Sequence, residues 1–122
     1  MLFAYLTTDE MNWDLANRWA EECDIVLFPL TFQDSLFDGS FDGVILDWDF
    51  IPSEKRSRIL EQFTLNRPTI PLAVHGYHVQ GEELWKKGVI AFRRLEEKWL
   101  RFLKRLVEKR KGNRIFRTSQ KI

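Results

Sequence analysis

Five short apolar runs, each followed by a stretch with a different pattern, constrain the fold of this chain most strongly. The runs have the length and composition of buried strands and span residues 2–6, 25–30, 43–47, 69–74 and 89–92. Helical patterns follow them at residues 11–23, 33–37, 52–63, 82–87 and 95–109. Strands that alternate with helices are joined by right-handed crossovers, so the order predicts an α/β domain. We expect a five-stranded parallel sheet with helices on both faces.

Two glycines mark the expected ends of the last two helices. Gly88 follows the short helical pattern and Gly112 follows the long one. Glycine is the usual residue just past a helix end because it tolerates the left-handed conformation. A chain of 122 residues has the length of one domain. We therefore predict one domain over residues 1–111 and a basic C-terminal tail over residues 112–122.

The charge of the chain is divided unevenly along its length. Residues 1–92 hold 7 Lys and Arg against 15 Asp and Glu, whereas residues 93–122 hold 12 against 3. A solvated helix face that partly neutralises an acidic domain is the favoured interpretation, since charge runs are usually solvated. Binding of nucleic acid or another acidic partner to the basic segment is the alternative. Nucleic acid is disfavoured because Trp99 and Phe102 fall on the apolar stripe of the helix, where they cannot stack on bases.

Several classes of protein are disfavoured by what the sequence contains. A single cysteine, Cys23, excludes an internal disulfide, and two histidines cannot complete a four-ligand zinc site with it. No stretch approaches the ~20 apolar residues that span a bilayer, and the first run lacks the features of a secretory leader. Glycine-rich phosphate loops, nucleophile elbows and metal-ligand clusters are not found. We expect a cytoplasmic protein that is not an enzyme and has no membrane partner.

One segment carries a family resemblance. The sequence Phe41-Asp-Gly-Val-Ile-Leu-Asp47-Trp-Asp-Phe-Ile-Pro52 places an aspartate at the end of the third strand and a proline shortly after it. This segment, the length of the chain and the order of its elements resemble the receiver domain of bacterial response regulators, over residues 1–110. The resemblance implies the flavodoxin-like strand order 2-1-3-4-5, with the functional site at the carboxyl ends of the strands.

The resemblance assigns roles to acidic residues near the third strand. Asp47 stands at the position of the phospho-acceptor, and Asp49 stands where a backbone carbonyl helps to hold Mg²⁺. Thr7 and Thr8 occupy the positions of the family's acidic metal-binding pair, and Asp9 follows them one residue late. Threonine hydroxyls are weak neutral ligands for Mg²⁺, so a metal is expected only if Asp9 joins Asp47. Otherwise we expect no cofactor, and Asp47 would be a strand-end carboxylate that caps a local turn or bonds to nearby backbone amides.

The later strand ends depart from the family pattern. His75 stands at the position of the family's hydroxyl residue and Phe92 at its aromatic switch position, and both are switch-like candidates. A plain polar strand-end residue is nevertheless the favoured interpretation for His75, and a core side chain is the favoured one for Phe92. Leu95 takes the place of the family's charge-neutralising lysine, with Arg93 and Arg94 beside it.

These departures predict a degenerate receiver, which retains the fold and loses control by phosphorylation. The expected function is a signalling and protein-interaction module, with a protein partner or a second copy as its target. Its interface is expected on the face formed by residues 82–87, 89–92 and 95–109, because Trp and Arg are favoured at interface centres. The interface candidates are Trp85, Trp99, Arg93 and Arg94. Phosphorylation of Asp47 with Mg²⁺ is the alternative.

Overall fold

The structure is a computed structural model and describes residues 1–31, 40–66 and 70–120. In the second segment the side chains are described up to residue 65, and in the third up to residue 111. The helix expected at residues 33–37 and the first residue of the expected fourth strand lie outside the described residues.

Within the described residues, five parallel strands form one sheet. They are β1 (Leu2–Leu6), β2 (Val26–Pro29), β3 (Gly43–Asp47), β4 (Leu72–His75) and β5 (Ile90–Phe92). Their order is β2-β1-β3-β4-β5, which confirms the predicted flavodoxin-like arrangement. Every residue of β3 is buried, as expected for a central parallel strand with helices on both faces.

The described helices follow the strands as the apolar patterns predict. They are α1 (Glu10–Glu22), α2 (Ser53–Asn66), α3 (Gly81–Lys86) and α4 (Glu97–Gln120), and a 3₁₀ turn covers Trp48–Phe50. Gly88 has a φ of 84° just past the end of α3, which confirms its predicted role. Within the described segments, none of the helices combines the length and the apolar character needed to cross a bilayer.

The predicted end of the last helix is wrong. Helix α4 continues through Gly112 to Gln120, so the expected boundary at residue 111 falls inside it. A single glycine within a helix costs only about 1 kcal/mol relative to alanine, and the residues around Gly112 include several good helix formers. Glycine therefore indicates a helix end only where the left-handed conformation is adopted, as it is at Gly88.

Among the described helices, two pack on each face of the sheet. Successive side chains of a strand point to opposite faces. On one face Phe3, Tyr5 and Ile45 form a cluster with buried residues of α1 and α4. On the other face Leu6 and Leu46 pack with buried residues of α2 and α3. The two clusters confirm the predicted helices on both faces of the sheet. Alternate residues of β1 and β3 therefore face α1 and α4.

The backbone at the first residue of β3 lies close to a core side chain of β1. Gly43 is the register partner of Phe3, and a Cβ atom added to Gly43 would lie 2.4 Å from Cε1 of the Phe3 ring. The absence of a side chain at Gly43 therefore gives the Phe3 ring its space in the core. The register that follows brings the end of β3 beside the end of β4, where Asp47 is paired with His75.

Candidate functional site

Asp47 lies at the carboxyl end of β3 and is only 1% exposed. Its Oδ2 atom accepts hydrogen bonds from the Thr7 hydroxyl at 2.8 Å and from the Asn12 side-chain amide at 2.7 Å. Both donors are neutral, and hydrogen bonds to an ionised acceptor are stronger than those between neutral groups. The carboxylate is therefore fixed in place by the end of β1 and the first turn of α1.

Thr7 and Asp9 link this carboxylate to the start of α1. The Thr7 hydroxyl accepts a hydrogen bond from the backbone N–H of Asp9 at 3.1 Å. The Asp9 side chain caps the helix by accepting from the backbone N–H groups of Met11 and Asn12. The structure thus places Thr7 beside Asp47, as expected, and engages the Asp9 carboxylate with the helix terminus.

Asp49 connects the 3₁₀ turn after β3 to the loop after β4. Both of its carboxylate oxygens accept from the backbone N–H of Tyr77, at 3.1 and 3.0 Å. A Cβ atom at Gly76 would lie 2.7 Å from the Asp49 carboxylate, so a larger residue there would displace the carboxylate from its present position. Within the segments that the structure describes, no group of three or more His, Cys, Asp or Glu side chains is arranged to hold a metal ion.

His75 is buried between Asp47 and Tyr5. Its Nε2 atom lies 2.8 Å from the Tyr5 hydroxyl, and its Nδ1 atom lies 3.9 Å from the Asp47 carboxylate. Burial lowers the pKa of His75, although the negative charges of Asp47 and Asp49 oppose this shift. Burial and the charge of Asp47 raise the pKa of Tyr5, so its hydroxyl stays protonated. The consistent assignment has the Tyr5 hydroxyl donating to Nε2 of a neutral imidazole, with the Nδ1–H facing Asp47.

The buried imidazole makes stability depend on pH in one direction. Folding lowers the pKa of His75. In the unfolded chain its imidazole binds a proton near the ordinary pKa of about 6.5, whereas in the folded chain the imidazole stays neutral at that pH. We expect the free energy of unfolding to decrease as the pH falls from about 7.5 to about 5.5, and we expect His75→Gln to reduce this slope. Urea unfolding at several pH values measures it.

The matched control is His78→Gln, since His78 is exposed and its replacement leaves the buried site around His75 unchanged. An unchanged slope in His75→Gln, or a flattened slope in His78→Gln, would contradict the assignment of a neutral buried His75.

A row of aromatic rings crosses the sheet beside this site. His75 stacks on Phe92 with centroids 6.0 Å apart, and Phe92 stacks on Trp99 at 4.7 Å with the planes 7° apart. Trp99 meets Phe102 edge-on, and Phe102 is 40% exposed. On the other side Tyr5 continues the row from His75 to α1. The row connects the buried polar site to the outer side of α4. Phe92 lies in the core, as the favoured interpretation predicts.

A cavity of about 140 Å³ opens at this edge of the sheet. Its lining combines Asp47, Asp49 and His75 with Arg93 and Arg94 from the loop after β5. The Arg93 guanidinium lies over the Tyr77 ring, 5.7 Å from its centroid, which is a cation–π contact. The structure therefore brings the predicted strand-end residues and the two arginines to one place.

Sequence reasoning missed Asn12 and Tyr5, which make direct contacts in the site. Asn12 donates to Asp47 from the first turn of α1, and Tyr5 bonds to His75 across the sheet. Only two weak signals pointed to them. Asn12 lies close to the end of the first strand, and Tyr5 alternates with Leu6 at that end. Neither signal identifies a partner 35 or 70 residues away.

The predicted interface residues lie on both sides of β5. Trp85 is 47% exposed on α3, and its indole N–H donates to the carbonyl of Ala91 in β5 at 3.0 Å. Arg93 and Arg94 are exposed, whereas Trp99 is half-buried under the edge of Phe102. Trp85 is therefore held in place while part of its ring faces solvent.

Comparison with known proteins finds no family whose sequence pattern matches this chain and no curated protein that matches it. The chemistry of the site is therefore the basis for function. A carboxylate is a nucleophile when it is accessible, and a cation beside it stabilises an incoming phosphoryl group. Asp47 is instead buried and bonded by neutral donors.

Proposed function

We propose that this chain is a degenerate response-regulator receiver-like domain that acts as a signalling and protein-interaction module without phosphorylation control. The observation that carries the proposal is the burial of Asp47, whose Oδ2 atom already accepts two hydrogen bonds from Thr7 and Asn12. A nucleophilic oxygen must approach phosphorus in line with the leaving group, which a buried and hydrogen-bonded carboxylate resists.

The surroundings of Asp47 support the same conclusion. Thr7 supplies a neutral hydroxyl where a Mg²⁺ site would need a carboxylate, and Asp9 is engaged at the start of α1. Leu95 is buried at the position that the resemblance gives to a lysine. Positive charge near the cavity comes from Arg93 and Arg94, and Arg93 packs on the Tyr77 ring. The alternative, a phospho-accepting receiver that uses Asp47 with Mg²⁺, requires these groups to rearrange.

Incubation with acetyl phosphate and Mg²⁺ tests the proposal directly. We expect the intact mass of the wild-type chain to remain unchanged, because Asp47 is 1% exposed, its Oδ2 atom already accepts two hydrogen bonds, and Thr7 and Thr8 replace the carboxylate pair for the metal. An active receiver domain treated in parallel shows that the reagent works. The addition of one phosphoryl group to the wild type, absent from Asp47→Asn, would establish the alternative and refute this proposal.

The proposed docking face contains α3, β5 and the adjoining side of α4. It presents the exposed part of Trp85 and the exposed Phe102, with Arg93 and Arg94 at one end. Exposed aromatic rings that are held by the fold suit the centre of an interface. Trp99 is stacked on Phe92, which supports protein docking over base stacking by this helix.

For a protein partner bound to this face, we expect Trp85→Ala to weaken binding by about 30-fold, since a tryptophan at an interface centre contributes about 2 kcal/mol or more. Phe50→Ala is the matched control, because Phe50 is 42% exposed and lies outside the face. Titration calorimetry with both variants measures the difference. Equal affinities for the two variants would place the interface elsewhere.

A further inference from the structure

Tyr5 and His75 form a buried donor and acceptor pair in the middle of the aromatic row. The Tyr5 hydroxyl lies 2.8 Å from Nε2 of His75, and both side chains are buried. Burial lowers the pKa of His75, so its ring is neutral and Nε2 is free to take up a proton. Proton transfer requires a base within hydrogen-bond reach, and this pair meets that requirement. The interaction role proposed above does not involve the pair.

Asp47 lies on the other side of the His75 ring. Nδ1 of His75 is 3.9 Å from the Asp47 carboxylate. The hydrogen bonds that Asp47 accepts come from Thr7 and Asn12, which are neutral and leave its negative charge in place. An opposite charge at this distance favours the protonated form of an imidazole. A proton that moves from Tyr5 to Nε2 would therefore produce a cation beside a carboxylate.

Trp13 connects Tyr5 to the surface. Its ring stacks on that of Tyr5, with the centroids 5.9 Å apart and the planes 16° apart. Trp13 is half-buried and lines an open cavity together with the acidic residues Asp9, Glu10 and Asp14. Indole is one of the side chains that lose an electron most readily, and stacked rings exchange electrons efficiently. The acidic residues attract a cationic reagent towards this indole.

A phenol loses an electron far more easily when its proton leaves in the same step, because an oxidised phenol is a strong acid. We propose that Tyr5 is a redox-active residue: a cationic one-electron oxidant removes an electron from Trp13, Tyr5 replaces that electron, and the Tyr5 hydroxyl proton passes to His75. The O–H bond of Tyr5 breaks and an Nε2–H bond of His75 forms. The products are a neutral Tyr5 radical, the restored Trp13, an imidazolium and the reduced oxidant.

Burial gives a radical on Tyr5 a different fate from one on the surface. Exposed tyrosyl radicals disappear when two rings couple to form dityrosine. Tyr5 is 1% exposed, whereas Tyr77, the other tyrosine of the chain, is 64% exposed. A second chain can therefore reach the ring of Tyr77 but not that of Tyr5. Because the chain has two tyrosines, each can be studied in the absence of the other.

Flash oxidation with photo-oxidised tris(bipyridine)ruthenium, a cationic one-electron oxidant, tests the proposal. Tyr77→Phe retains Tyr5 alone, and we expect a persistent neutral tyrosyl radical in transient absorption and electron paramagnetic resonance, without dityrosine. Tyr5→Phe retains Tyr77 alone, and we expect a short-lived radical and cross-linked dimers. The main result comes from Tyr77→Phe, an exposed substitution that leaves the buried pair intact. Circular dichroism confirms that Tyr5→Phe is folded.

Two further substitutions in the Tyr77→Phe chain test the roles of the neighbours of Tyr5. His75→Gln keeps a polar side chain but removes the base, so the radical is expected to form about 100-fold more slowly. With His75 present, formation is expected to be slower in heavy water, because a proton moves in the same step. Trp13→Phe keeps a ring beside Tyr5 that is hard to oxidise, so we expect a loss of rate. The matched controls, expected to leave the rate unchanged, are His78→Gln, which is exposed, and Trp19→Phe, which lies on the same helix as Trp13.

Several outcomes would overturn the proposal. They are the absence of a tyrosyl radical in Tyr77→Phe, dityrosine formation by that variant, or an unchanged rate in His75→Gln. A rate in Trp13→Phe equal to that in Trp19→Phe would also contradict the path through Trp13. The reaction of Asp47 with acetyl phosphate bears on the proposed function alone, so the two proposals can fail independently.

Discussion

Substitution of Gly43 by alanine is expected to destabilise the domain by about 1–3 kcal/mol, because it forces an extra methyl group into a packed core. The new Cβ atom would lie 2.4 and 2.6 Å from two carbons of the Phe3 ring and 3.2 Å from Cγ of Pro71. Phe3 is 0% exposed and pairs with Gly43 in the sheet, so its ring can move only by displacing other core side chains. Urea unfolding of the variant and the wild type measures the difference.

Gly81→Ala is the matched control for this substitution. The nearest atoms to a Cβ at Gly81 are 3.9 Å away, and Gly81 is the first residue of α3. Replacing glycine by alanine without strain reduces the entropy of the unfolded chain, so no loss of stability is expected there. Phe3→Leu combined with Gly43→Ala should recover part of the loss. Equal destabilisation by the two glycine substitutions would contradict the steric explanation.

Phe92→Ala is expected to have a larger effect, a loss of about 3–5 kcal/mol in the free energy of unfolding. Phe92 is buried, and its ring is stacked between those of His75 and Trp99. Removing the ring leaves a cavity and also removes two aromatic contacts. Chemical unfolding gives the magnitude, and near-ultraviolet circular dichroism reports the altered environment of Trp99.

Phe102→Ala is the control that shows whether the loss of stability comes from the buried ring of Phe92 or from removing any ring of the aromatic row. Phe102 ends the row at the surface and meets Trp99 edge-on, so its loss is expected to be about 1 kcal/mol or less. If Phe102→Ala destabilised the domain as much as Phe92→Ala, Phe92 would not be the main packing residue of the row.

The strands could be predicted from the sequence because they depend on local patterns, whereas their order in the sheet was implied by the family resemblance. Apolar runs of four to six residues, separated by helical periodicity, were sufficient to place β1 and β3. The position of Asp47 at a strand end follows from the same pattern. The end of α4 could not be predicted in this way, since Gly112 continues a helix whose stability depends on neighbouring residues and packing.

The contacts within the site were beyond prediction for a different reason. The bond from Asn12 to Asp47 and the bond from Tyr5 to His75 join residues that are distant in the chain. Their formation depends on the register of the strands and on the angle at which α1 leaves β1, and neither is encoded in the spacing of residues. A single sequence therefore identified which strand ends meet, but not which side chains bond there.

Because α4 is long, a small change in its tilt would move its C-terminal end by several ångströms. Its 24 residues extend for about 36 Å, and Val107 is the last buried residue among its side chains described up to residue 111. The Lys111 side chain is joined to Asp42, at 2.9 Å, near the amino edge of the sheet. A tilt of about 10° around Leu103 would move Gln120 by about 4 Å, given the rise of 1.5 Å per residue. For any such tilt, the end of α4 would move further than the residues of α4 that pack beside the Phe92–Trp99 stack.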